Sequence, residues 1–313
     1  MSNFDLSLSD VFQAQKRIQP IVMQTPVVES GAAGRIASTQ VYLKLENTHQ
    51  TTSFKIRGAA NKLLSLSDAE RSKGVITTSS GNHGKAVAYV ASRLGVRAVV
   101  GLGLHVPANK VRSIQGYGAE ALVTGENWEE TSEQVEKVRK ERGLTYIDPF
   151  DDPQIIAGQG TLALEALQRY PQIDTIVTPL SGGGLAGGIA LAAKSINPRI
   201  RVIGVSQQDG ASMYLSIRAG RVVDVTETPS LADALLGGIG QNNRYTFEIC
   251  RALLDETVLV SEEEIAQAMA FMLEEHHQVV EGAGAVAVAA LLNRRATFGS
   301  HTLALISGGS VDT

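Results

Sequence analysis

At 313 residues, with 43% hydrophobic residues and a formal net charge of −4, the chain is long enough for one large two-lobed α/β domain or two ordinary domains, with a sizeable buried core. The acidic balance and the lack of a clustered Lys/Arg block exclude a general nucleic-acid binder, because phosphate contacts need such clusters. No window approaches the roughly 18 apolar residues of a spanning helix, and MSNFDLSLSDVF lacks the basic and apolar regions of a signal peptide, so no membrane partner and a cytoplasmic location are expected.

Strand-like β-branched runs begin with VYLKLE at 41, GVITTSS at 74, RAVVGL at 97, EALVTG at 120 and LTYID at 144. They continue with TIVTPL at 175, RVIGVS at 201, ETVLVS at 256 and TLALIS at 302, and helical periodicity separates them throughout. Such alternation predicts βαβ units, mostly parallel sheets and the α/β class. Amphipathic helices are predicted over 127–142, stopped by Gly143, and over 261–276, opened by Ser261 and Glu264 as a capping box. The single cysteine, Cys250, lies in the helical pattern NRYTFEICRALL; it cannot form an internal disulfide and reads as a small buried apolar residue.

Three glycine-marked turns follow strand patterns. SSGNHG at 79–84 precedes the helical KAVAYVASRLG, and SGGGLAGG at 181–188 precedes IALAAKSI. A helix start leaves unpaired N–H groups at its positive end, so each turn suits a carboxylate or phosphate. The third, SGGS at 307–310, places Ser307 at the carboxyl end of a strand, where open α/β sheets bind ligands. Residues 182–187 also fit the dinucleotide spacing G-x-G-x-x-G, but the strand RVIGVS ends in Ser206 and Gln207 rather than an acid, which disfavours a nicotinamide site. Lys55, in SFKIRGA, follows Phe54 in a mostly uncharged neighbourhood; a Schiff-base lysine needs such partial desolvation to lower its pKa, whereas a solvated helix-start lysine does not.

In this order SFKIRGA, SSGNHG, SGGGL and the final SGG resemble the fold-type II pyridoxal-phosphate enzymes, the threonine and serine dehydratases and serine racemases. TPVVES, KLENTHQTTSFKIRGA, DPFDDPQIIAGQGTLALE and ISGGS extend the resemblance over nearly the whole chain. It implies a two-lobed parallel-sheet fold of the tryptophan synthase β-subunit kind with pyridoxal 5'-phosphate between the lobes. The small lobe would span 74–147, and the large lobe 1–73 and 148–313. Lys55 would carry the cofactor and act as catalytic base, and Phe54 would pack on the cofactor ring. Asn82 would bond the phenolic oxygen, Ser307 would face the pyridine nitrogen, and Ser181, Gly182, Gly183, Gly184 and Leu185 would hold the phosphate, with Ser181 in place of the usual glycine. Ser79, Ser80, Gly81, Asn82 and His83 would receive the substrate carboxylate, and Ser80 matches the second acid/base of the racemases. Glu281 matches an acidic position beside the cofactor, and a helix-capping glutamate accounts for it equally well.

The implied reaction is Cα deprotonation and β-elimination of water from a β-hydroxy amino acid, yielding an aminoacrylate that hydrolyses to keto acid and ammonia. Racemisation or β-replacement on the same fold is the second reading; a nicotinamide oxidoreductase or a catalytically silent cofactor carrier is the third. LADALLGGIGQNNRYTF and VVEGAGAVAVAALL are more similar to hydroxyectoine-utilisation dehydratases than to ordinary threonine deaminases, implying a larger or more polar substrate. The family's divalent-cation carboxylates are replaced by Ser206 and Ser212, leaving Asp209 alone, so no metal is expected. Thr52 stands where a glycine is usual. A homodimer or higher homo-oligomer is expected, and the end at SGGSVDT implies no C-terminal regulatory domain and no feedback inhibition by branched-chain amino acids.

Overall fold

Two sheets organise the computed structural model of the chain, which describes residues 5–79 and 81–311. The larger sheet has the order β1 (Val27–Glu29), β2 (Gln40–Leu45), β10 (His301–Ile306), β7 (Thr175–Pro179), β8 (Arg201–Gln207) and β9 (Glu256–Val260), with only β1 antiparallel to its neighbour. The smaller, all-parallel sheet has the order β5 (Glu120–Val123), β4 (Ala98–Leu102), β3 (Val75–Thr78) and β6 (Thr145–Tyr146). All nine strands expected from β-branched runs are present. β1 is additional: its three residues have no alternating burial, and pairing of Val27 to Lys44 and Glu29 to Tyr42 makes them a strand.

Helices cover the sheets as the α/β class requires. The charged helix Trp128–Arg142 is capped by the Asn127 side chain and ended by Gly143 in the left-handed region, and helix Glu262–His276 opens on the predicted Ser261–Glu264 capping box. Helix Gly282–Leu292, GAGAVAVAALL, is buried almost all round within the larger sheet's core. Cys250 is buried beneath the glycine turn at 183, where loss of solvent pushes its thiol up to about 12; it is an inert packing residue. Among the described residues no helix is long and apolar enough to cross a membrane.

Close backbone approach locks the helices that carry the site. A Cβ at Gly158 would lie 2.7 Å from the Arg57 carbonyl oxygen, and one at Gly160 would lie 2.8 Å from that of Gly188. Helix Pro153–Arg169 therefore presses backbone-to-backbone on helices Lys55–Ser65 and Gly184–Ile196, the first beginning at the candidate lysine and the second at the candidate phosphate turn. We predict that Gly158→Leu destabilises the protein by about 3 kcal/mol, because the tight packing cannot accommodate the side chain. Urea-unfolding midpoints at matched slope measure this, and a loss under about 0.5 kcal/mol contradicts the packing account.

Candidate active site

Lys55 opens its helix immediately after a segment stitched to the C-terminal glycine turn. Ser53 pairs with Gly308 as an isolated bridge, and the Phe54 N–H donates to the Ser307 carbonyl at 3.0 Å. Lys55 Nζ donates to the Pro149 carbonyl at 2.8 Å and lies 5.4 Å from the Phe54 ring centroid. Burial brings the amine down to about 8, against an upward pull from the nearby Asp148 carboxylate. Two residues on, the fully buried Arg57 binds Glu46 (2.6 and 2.9 Å) and Glu165 (2.7 and 2.8 Å) through paired hydrogen bonds. Lys44 joins Glu165 at 2.7 Å, so two cations balance two carboxylates and the helix start cannot rotate without stranding a charge.

The segment Asp148–Phe150 links the lysine to the phosphate turn. Asp148 Oδ1 accepts from the N–H groups of Phe150 and Asp151 at 2.9 and 2.6 Å, closing a tight turn that aims the Pro149 carbonyl at Lys55. The Phe150 ring occupies the place of a Gly182 side chain, and its carbonyl oxygen lies 2.8 Å from a Cβ built on Gly184. Gly183 has φ +88° and packs against Met213 and Cys250, so neither its conformation nor its surroundings admit a side chain. Ser181 and Gly182 are half-buried and Leu185 is buried; helix Gly184–Ile196 starts here without a side-chain cap, leaving N–H donors for an anion.

From the smaller sheet, Ser79 and Gly81 form the turn after β3, and helix Asn82–Leu94 follows, also uncapped by a side chain. Ser80 lies outside the described residues. Asn82 Nδ2 donates to Glu281 Oε1 at 2.7 Å, while Asn82 Oδ1 is buried and unpaired. His83 Nε2–H donates to the Ile147 carbonyl at 3.2 Å; burial, with Lys55 close by, brings the ring down to about 3, so it is a neutral imidazole. Glu281 is the N-cap residue of helix Gly282–Leu292 but makes no capping bond; its other oxygen accepts from the Ser310 N–H at 3.1 Å. The capping alternative is thereby corrected: the carboxylate turns away from its own helix toward Asn82.

Ser307 Oγ donates to the Ala283 carbonyl at 3.3 Å within the same layer. Thr52 has φ +58°, a strained value for a β-branched residue and one that glycine adopts freely. Its hydroxyl meets Ser310 Oγ at 2.6 Å and accepts from Lys85 Nζ at 3.1 Å. Ser206 and Ser212 spend their hydroxyls on the carbonyls of Leu180 (2.5 Å) and Gly237 (2.8 Å), and the described residues hold no cluster of three carboxylate, His or Cys ligands. The structure thus gathers the residues singled out above, apart from Ser80, around the ends of β3, β7 and β10. The Pro149 carbonyl, Asp148, Lys85 and the buried, unpaired hydroxyls of Thr51 and Ser53 are additions that no local sequence signal distinguished.

A family model described as pyridoxal-phosphate dependent enzyme matches residues 18–308. The chain belongs to that family, within the fold-type II group of threonine/serine dehydratases and serine racemases, and is a pyridoxal-phosphate dependent lyase. It is 42% identical to an L-threonine ammonia-lyase of Geobacter sulfurreducens, over 96% of this chain and 74% of that one. Maize serine racemase superposes with TM-score 0.95 at 35% identity, covering 99% of this chain and 95% of that one. Threonine deaminase isoform 2 of Solanum lycopersicum, in its processed form, superposes with TM-score 0.88 at 31% identity, covering 97% and 90%. Membership removes the nicotinamide reading of 182–187. The residues fit the cofactor: a desolvated amine, a glycine turn that side chains would fill, and unpaired buried polar atoms on Asn82, Thr51 and Ser53 lie around the strand ends.

An amine held near 8 is protonated and unreactive below that pH and free above it. In cofactor-free protein the rate of pyridoxal-phosphate uptake should rise with pH through an inflection near 8, and Lys55→Arg should abolish it. Stopped-flow absorbance measures the profile; an inflection above 10, the range of a solvated lysine, contradicts this desolvation.

Proposed function

We propose that the protein removes water from a β-hydroxy amino acid, releasing keto acid and ammonia, with Lys55 as both the cofactor lysine and the base. The observation that carries this reading is the desolvated Lys55 amine at the meeting point of the phosphate turn, the 307–310 turn and the Asn82 helix start. The Ser181–Leu185 turn would hold the phosphate through N–H groups, Asn82 the phenolic oxygen, Ser307 the pyridine nitrogen, and Phe54 a face of the ring. The lobes would divide at 74–147, in keeping with the four strands of the smaller sheet between 75 and 146. When bound, pyridoxal phosphate draws electrons from the substrate Cα and makes its proton acidic. Lys55 Nζ takes that proton, which needs the amine in its uncharged form. The N–H groups of Ser79 to His83 bind and orient the substrate carboxylate. A neutral hydroxyl at Ser307 does not favour a protonated ring, so prompt departure of the β-hydroxyl wins over return of the proton to Cα.

Within this class we favour a substrate larger or more polar than threonine, such as a hydroxyectoine-derived hydroxylated diaminobutyrate. The support is the similarity of LADALLGGIGQNNRYTF to hydroxyectoine-utilisation dehydratases. Racemisation is a side activity of the same site, supported by the overlay on maize serine racemase, with Ser80 as the second acid/base. A cytoplasmic homo-oligomer completes the reading.

A panel of threonine, serine, hydroxyaspartate and hydroxylated diaminobutyrates should release ammonia and keto acid from at least one member, and Lys55→Ala should lower kcat by about 10²-fold or more. Retained turnover in that variant contradicts the assignment. Because the Ser206 and Ser212 hydroxyls are already bonded to carbonyls, chelator treatment should leave kcat/KM within about twofold of the untreated enzyme; a loss restored by magnesium contradicts the metal-free site.

A further inference from the structure

The segment Ile147–Pro149 carries the chain from the end of β6 toward helix Pro153–Arg169 and meets Lys55 with polar groups of unequal kind. Its two outer carbonyls are spent. That of Ile147 accepts from Thr77 Oγ1 at 2.8 Å and from His83 Nε2–H at 3.2 Å, and that of Pro149 accepts from Lys55 Nζ at 2.8 Å. Between them stands Asp148, whose Oδ1 accepts the N–H groups of Phe150 and Asp151 and whose Oδ2 has no hydrogen-bond donor among the described residues. An amide or a hydroxyl closes a turn of this kind as well as a carboxylate does, so the negative charge is more than the turn requires. Adjacent Cα atoms are ~3.8 Å apart, which keeps a carboxylate one residue from the carbonyl that touches Nζ within Coulomb range of the amine.

We propose that Asp148 is a positioning residue for Lys55: its Oδ1 closes the turn that aims the Pro149 carbonyl at the amine, and the unspent charge on its Oδ2 strengthens Lys55 as a base by favouring the protonated amine from a distance. This rests on the assignment of Lys55 as the cofactor lysine and base. The neighbouring groups leave the role to Asp148. His83, on the helix that begins at Asn82, is a neutral imidazole, and burial raises the Tyr146 phenol on β6 above its ordinary value, so it is neutral too. Asp151 is taken up by the N–H groups of Arg244, Tyr245 and Thr246, and Asp152 by Lys62 and its own helix start. Burial pushes the Asp148 carboxyl up, the two turn N–H groups oppose this, and Asp151 and Asp152 add a smaller rise. With two N–H donors on Oδ1 the group is ionised in the range where Lys55 titrates, and it pulls the Lys55 amine upward against the larger effect of burial.

The test separates charge from shape in cofactor-free protein, so it is decided independently of which hydroxy amino acid is turned over. Asp148→Asn keeps an oxygen acceptor for both turn N–H groups and removes the charge. Pyridoxal-phosphate uptake is followed by absorbance across the wild-type inflection near 8, which in this variant should move to lower pH by about half a unit or more. Asp148→Ala loses the turn as well as the charge; it should move the inflection similarly and, in addition, lower the alkaline plateau rate about threefold or more below that of Asp148→Asn. Where the Asn variant does not fold, Asp148→Ser takes its place, because a hydroxyl closes the same kind of turn. An inflection within about 0.2 unit of the wild type in the uncharged, turn-closing variant overturns the role of the charge. An Asp148→Ala plateau equal to that of Asp148→Asn overturns the role of the turn. Wild-type protein that takes up no cofactor overturns the Lys55 assignment and this inference with it, whereas an unmoved inflection overturns this inference alone.

Discussion

Burying the Arg57 guanidinium is the constraint on which the site depends, because an unpaired charge at that depth would cost several kcal/mol and its partners come from two distant parts of the chain. Glu46 follows β2, Glu165 and Thr161 lie on helix Pro153–Arg169, Lys44 from β2 completes the charge balance, and the His49 ring meets Glu46 at 3.1 Å. The pairing holds Glu46 well below the usual carboxylate range and Arg57 above its own. Burial lowers Lys44, with Glu46 and Glu165 opposing it. Removing either carboxylate strands a cation, so the network fixes the pitch and rotation of the helix that begins at Lys55. The Lys55 amine can stay half-buried and unpaired by any carboxylate because the charges that secure its helix sit two residues further along.

The same separation of support from chemistry runs through the site. Pro149 gives Lys55 a carbonyl rather than a carboxylate, which orients the amine without holding it in the charged form. Phe150 fills the space beside the glycine turn so that its N–H groups, not its side chains, remain to meet an anion. The Ser206 hydroxyl ties the end of β8 to Leu180, directly before that turn, and the Ser212 hydroxyl ties helix Ser212–Ala219 to Gly237. Hydrogen bonds between neutral groups thus support the turn without a charge to balance.

Local chemistry made much of this legible. The strand runs, the Ser261–Glu264 box, the glycine turns after β3, β7 and β10, and the buried character of Cys250 depend on neighbours within a few residues, and all are found in the structure. β1 escaped notice because three residues carry no period and only pairing with β2 defines them. Glu281 read equally well as a helix cap because its sequence neighbours fit a cap; its partner Asn82 is 199 residues away. Thr52 read as a departure from a pattern, and only its backbone angle shows what that departure involves.

By itself the sequence determined which residue types stand at which strand ends, and with them the α/β class and the candidate lysine, because turn chemistry and hydrophobic period are short-range properties. The tertiary structure alone decided which charges are buried together, which carbonyl meets Lys55, and which polar atoms of Asn82, Thr51 and Ser53 are left for a ligand. Those outcomes depend on desolvation and on contacts between segments far apart in the chain, and both quantities come into being only when the two sheets and their helices pack.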